Sequence, residues 1–186
     1  MAIGHGLRVV GRIGGGDPRV REYYIPASNA VALFEGDVVK LSGTDDDPLH
    51  EVSGITQFAT GDVALGVVVG FRPQPALPYT AYRTASVGMY VEVCDDPLAI
   101  YEVQEDAVGG AVSAANVSAM YSADLIIAAG STATGLSGIM LDSNTAAAAI
   151  TNLDVKIIGV LRDGVNYAGI AAGAKLLVRL NLPVLA

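Results

Sequence analysis

Tryptophan is absent from this chain of 186 residues, aromatic side chains make up only 6 %, cysteine occurs once and histidine twice. Each scarcity closes a class of function. A single Cys94 excludes an intramolecular disulfide and a thiolate-rich zinc site, and reads as a small buried hydrophobe in a strand. His5 and His50 fit no spacing that forms a metal face or a catalytic relay, and both are expected to be solvated. A Ser-His-Asp arrangement needs one of them as its base, and Gly135-Leu136-Ser137-Gly138 is only a fragment of a nucleophile elbow. No apolar run approaches the roughly 20 residues that span a bilayer, so no membrane partner is expected. The opening Met1-Ala2-Ile3-Gly4-His5-Gly6 lacks the basic-then-apolar pattern of a secretory leader, so export by that route is not expected either.

Basic residues are few: 11 against 19 acids, for a net charge of −8. Residues 1 to 21 hold Arg8, Arg12, Arg19 and Arg21 against Asp17 alone, leaving seven bases and eighteen acids to the rest. A weakly basic, glycine-rich arm over residues 1–30 therefore precedes an acidic body over residues 31–186. The summed field of that body repels nucleic acid, and spaced arginines without interleaved aromatics make a poor site for it. The arm fits an acidic protein surface. Arg8, Arg12, Arg19 and Arg21, with the sticky extended patch Tyr23-Tyr24-Ile25 before Pro26, are the candidate partner-binding residues.

What the chain has in quantity is short apolar runs fenced by turn formers. Gly36 to Leu41, Gly61 to Gly70, Val87 to Tyr101, Leu153 to Asp163 and Ala174 to Asn181 are rich in β-branched residues and bounded by Gly-Asp or Asp-Pro, which predicts strands and an all-β fold. The expected architecture is a small β-barrel or sandwich with an extended N-terminal arm and at most short helices. Glycines inside Gly61–Gly70 and Leu153–Leu161 predict bulges or bends. Asp95-Asp96-Pro97 turns the chain between Val87–Val93 and Ala99–Gln104, which read as one two-strand unit. Arg72 to Pro78 is a stiff proline-dense loop. From Ala107 to Ile150 small residues dominate and periodicity decides nothing: Met120–Ala129 fits a strand or a short helix, and Asn144–Ile150 one helical turn. A chain this long buries about 70 % of its unfolded surface, but small side chains bury little area each, so subunit contacts are expected to add stability.

Remaining constellations favour ordinary structure over chemistry. Gly11 to Gly16 lacks the lysine and the strand-helix frame of a phosphate loop. Asp45-Asp46-Asp47 lacks the alternation of a calcium loop. Asp95 and Asp96 with Glu92, Glu102 and Glu105 supply carboxylate pairs of the kind glycosidases use, without aromatic sugar platforms nearby. No catalytic residue, metal or cofactor is expected.

Phe34–Leu41, Ala64–Gly70, Tyr90–Pro97 leading to Tyr101–Gln104, Asp154–Val160 and Lys175–Leu180 together resemble the head-decoration, or cement, proteins of tailed bacteriophages. The resemblance implies a non-enzymatic β-rich virion protein, made in the host cytoplasm and placed on the outer capsid surface. There it is expected to form a homotrimer that clamps neighbouring major capsid subunits. Another virion β-protein (tail, fibre-base or head-fibre component) is the alternative, ahead of a small trimeric β-enzyme or carbohydrate-binding module.

Overall fold

The computed structural model describes residues 4–44, 46–74, 80–108, 112–148, 153–161, 170, 172–181 and 183–184. Asp45, Pro75 to Pro78 of the proline-dense loop, and Arg162 and Asp163 at the end of one expected strand lie outside them. The chain is all-β, as its runs of β-branched residues dictate. Its strands are β1 (Arg8–Arg12), β2 (Val20–Ile25), β3 (Leu33–Phe34), β4 (Val38–Leu41), β5 (Ile55–Gln57), β6 (Gly66–Phe71), β7 (Tyr82–Arg83), β8 (Met89–Cys94) and β9 (Ala99–Gln104). A short helix α1 (Ala114–Ser118) follows, then β10 (Ser122–Ala123), β11 (Leu125–Ile126), β12 (Met140–Leu141), β13 (Val155–Val160) and β14 (Lys175–Leu180).

Two five-stranded antiparallel sheets carry the fold, in the orders β2-β8-β6-β4-β5 and β1-β9-β14-β13-β10. The first sheet curls until its edges meet at one point, where the Tyr24 amide donates to Ser53 O at 3.1 Å, but it does not close into a barrel. Its concave face holds Ile25, Val39, Ile55, Val68, Met89, Val91 and Val93, capped by Leu33 and Leu65. Alternation sends Val38, Val67 and Cys94 to the convex face, where they meet Tyr101, Val103, Val155, Ile157, Leu176 and Val178 of the second sheet. Both sides of β6 are thus buried at its start, where Val67 and Val68 are 0 % and 1 % exposed.

The strand glycines mark irregularities as expected. Register shifts fall between Val68 and Gly70 in the β6–β8 ladder and between Ile157 and Gly159 in β13–β14. At Gly66 a Cβ would sit 2.1 Å from Cys94 O, so the close approach of β6 and β8 requires glycine there. The expected two-strand unit around Asp95-Asp96-Pro97 does not form. β8 pairs with β2 and β6, whereas β9 pairs with β1 and β14, so the turn carries the chain from one sheet to the other.

The segment 112–148 holds α1, whose Ser113 caps the Asn116 amide, and the β11–β12 pair, with a 3₁₀ turn at Ser143–Thr145 where a helical turn was one expectation. Its small residues allow close approach within the chain itself. A Cβ on Gly130 would lie 2.3 Å from the Phe34 ring, and one on Gly138 2.3 Å from Ala129 O. Arg83, the largest fully buried side chain, donates to the carbonyls of Val87, Val31, Pro26 and Asn29 at 2.6 to 2.9 Å and so ties the loops above the curled sheet together.

Candidate interaction surfaces

The chain crosses between the two sheets twice at one place: from β1 to β2 through Gly14-Gly15-Gly16, all with positive φ, and from β8 to β9 through Asp95-Asp96-Pro97. These crossings bring three of the four N-terminal arginines onto two acids of the same chain. Arg12 Nε donates to Asp96 Oδ2 at 2.7 Å, Arg19 Nε to Asp95 Oδ1 at 2.7 Å, and Arg21 Nε to Asp95 Oδ2 at 2.5 Å. The Tyr23 hydroxyl adds a bond to Asp95 Oδ2 at 2.6 Å, and Arg19 Nη2 reaches Asp95 O at 2.9 Å. Burial alone would raise the Asp95 carboxyl, but bonds from Tyr23, Arg19 and Arg21 outweigh it and hold the carboxyl below its ordinary value. Burial first, and then Asp95, push Tyr23 up to about 12. Asp96 is likewise held low, because donors from Leu98 and Arg12 overcome its desolvation.

The seven residues expected to face a partner therefore divide. Arg12, Arg19, Arg21 and Tyr23 staple the sheets together, although the three arginines keep a third to a half of their side-chain surface exposed. Ile25 is fully buried in the concave core, and Tyr24 packs against Tyr90 with ring centroids 5.1 Å apart. Arg8 alone is exposed with its charge uncommitted, on β1 opposite Glu102. The leading residues, expected as an extended arm, run as the edge strands β1 and β2 of the two sheets of their own chain. The physical reason is local supply: the acids that answer the arginines sit at the adjoining turn. A signal was present in the sequence, since Asp95-Asp96 is the acidic pair bounded by two apolar strands.

Other acids are also structural. Asp47 accepts from the amides of Leu49, Glu51 and Val52 and from the Tyr90 hydroxyl, bonds that outweigh its burial and lower it to about 2. Glu105 accepts from the amides of Val112 and Gly173. His5, expected to be solvated, is packed with Nε2 3.4 Å from Glu102 Oε1, and burial lowers its pKa. Among the described residues no three His, Cys, Asp or Glu side chains gather as metal ligands. Cys94 lies buried in β8 under the Tyr101 hydroxyl, with burial raising its thiol.

Among the described residues two sheet faces carry like charges in facing positions. On the outer face of the second sheet, Lys156 and Arg179 stand directly opposite one another on β13 and β14. On the convex face of the first sheet, beyond Cys94, Glu22 and Glu92 stand directly opposite on β2 and β8, next to the Tyr24–Tyr90 pair. Like charges in facing positions cost stability; Arg72 answers Glu22 at 3.1 Å, whereas the Lys156–Arg179 pair meets no carboxylate among the described residues. No known protein family matches this sequence, and neither a curated protein nor a solved structure is detectably similar to it.

Proposed function

We propose that this chain is a structural binding protein that decorates the outer surface of a tailed-phage capsid as a homotrimer and joins neighbouring major capsid subunits. The observation that supports this reading is the pair of open sheet surfaces carrying facing like charges, held at a fixed relation by the Asp95–Asp96 staple. Such pairs are a cost in the isolated chain and a gain against a partner of opposite sign. Rigid sheet faces suit a clamp, because little ordering entropy is lost when they dock. The residue segments that resemble the decoration family fall on β4, β6, β8, β9, β13 and β14, which supply Glu92, Lys156 and Arg179 to the two surfaces, while Glu22 and Arg8 come from β2 and β1 outside them. The work is adhesive, without cofactor or turnover. Purified chain mixed with heads assembled in its absence is expected to add in a saturable stoichiometry and to raise their melting temperature. Binding to tails with indifference to heads would overturn this reading in favour of a tail or fibre component.

A further inference from the structure

Within β1, β9, β13 and β14 Glu102 is the single acid, set against Arg8, Arg12, Lys156, Lys175 and Arg179. Arg12 is spent on Asp96, and Lys175 Nζ meets Glu102 at 2.9 Å. Among the described residues Arg179 finds only the Pro97 carbonyl, at 3.2 Å, and its Nε is buried without an acceptor. Neither Arg8, which stands opposite Glu102, nor Lys156 makes an ion pair among the described residues. Because Tyr101, Val103, Leu176, Val178, Val155 and Ile157 point into the core, alternation puts Ile100, Leu177 and Ile158, half-buried, on this same outer face among the cations. The result is a basic surface with an apolar centre on a chain whose net charge is −8.

The other open surface is its electrostatic complement. Glu22 and Glu92 face each other, Glu51 is exposed nearby, and Asp47 lies under the Tyr90 hydroxyl. Arg72 is the local cation, 3.1 Å from Glu22 and 5.6 Å above the Tyr90 ring. Tyrosine, here half-exposed at two adjoining positions, is a side chain that interfaces favour.

We propose that copies of this chain associate head to tail, the basic outer face around Lys156 and Arg179 of one copy seating on the Glu22–Glu92 and Tyr24–Tyr90 patch of the next. The occupant is a second copy because both faces are present on every chain: the basic one keeps an excess of cations over Glu102, and the acidic one keeps Glu92 and Glu51 after Arg72 has answered Glu22. Two different patches make the contact heterologous, so it closes into a ring wherever the rotation permits. This deepens the self-association in the reading above and rests on it, but its test needs no capsid. A nucleic acid fits less well, since the apolar centre offers no aromatic platform to a base and the remainder of the molecule repels phosphate.

Sedimentation velocity on the full chain, on Lys156→Glu/Arg179→Glu and on Glu22→Lys/Glu92→Lys tests the contact. Wild type is expected to assemble. Its half-assembly concentration should rise at least about tenfold between about 0.1 and 1 M salt, where the Debye length falls from about 10 to 3 Å. Each double variant alone should be a folded monomer, and an equimolar mixture of the two should reassociate, because one native contact can then form between them. Where a reversed variant melts early, Lys156→Gln/Arg179→Gln reads the same face with a smaller change. A wild type monomeric at every concentration, assembly unmoved by the variants, or a mixture that stays monomeric would each overturn the proposal. So would tight retention of monomeric wild type on a heparin column that the Lys156/Arg179 variant loses, which would make the face a polyanion site. Wild type that assembles in this way yet ignores heads sinks the capsid reading and leaves the contact standing; monomers that coat heads do the reverse.

Discussion

Asp95 at the sheet junction and Asp37 at the seam between β3, β4 and residue 137 are both buried, 1 % and 8 % exposed, yet their surroundings drive them in opposite directions. Asp95 accepts from two guanidinium groups and a phenol, and its carboxyl is held low. Asp37 accepts from the Phe34 amide at 2.8 Å with help from the Ser137 hydroxyl, and burial, the larger effect, pushes it up to about 6. It lines an apolar groove formed by Phe34, Val38, Phe58, Ile127 and Ile139, where no cation answers it. Burial sets the size of the demand, and charged donors decide whether it is met.

The contrast can be broken at its strong end first. Asp95→Ala leaves the Tyr23 hydroxyl buried without its acceptor and frees Arg19 and Arg21 to repel each other. Chemical denaturation should show a loss of about 3 kcal/mol, and an effect under about 1 kcal/mol would mean that the staple is decorative.

At the other region the sign reverses. Because the folded Asp37 carboxyl titrates near 6 rather than at its ordinary 3.8, the folded state binds the proton more tightly, so its contribution is favourable in acid and is lost as pH rises through about 6. Asp37→Asn removes that loss while retaining an oxygen for the Phe34 amide. Its stability relative to wild type should improve by about 2 kcal/mol from pH 4 to pH 7, and a gap independent of pH would refute the assignment. Asp95→Asn should do the converse. Its deficit against wild type, present at neutral pH, should shrink as pH falls below 3.8, where the unfolded wild-type chain takes up a proton at this carboxyl that the folded chain still resists. The smallest effect is expected from Arg21→Ala. With 48 % of its side chain exposed, the pair it loses should cost under about 1 kcal/mol and less at high salt.

Strands were legible wherever the code is local. Gly36–Leu41, Gly61–Gly70 and Lys175–Leu180 announce themselves by β-branching and turn residues, and the bulges near Gly70 and Gly159 by glycine inside an apolar run. The β8–β9 turn was misread because a turn signal states that the chain reverses, not which sheet receives it. Arg12, Arg19 and Arg21 were visible as an unanswered basic group, but their partners lie more than 70 residues away, beyond any spacing rule. The facing pairs Lys156–Arg179 and Glu22–Glu92 were invisible for the same reason: each exists only once two distant strands take a register.

By itself, then, the order of residues settled that this chain makes strands, where they bend, and that its charge is acidic with a basic beginning, because these follow from side-chain branching, backbone freedom and counting. Tertiary structure alone decided which arginines are consumed at home, which carboxylate is kept charged and which is pushed toward its neutral form, and which like charges are forced to face each other. Those outcomes depend on distance and desolvation, and both are set only when non-adjacent strands pair and bury their common face.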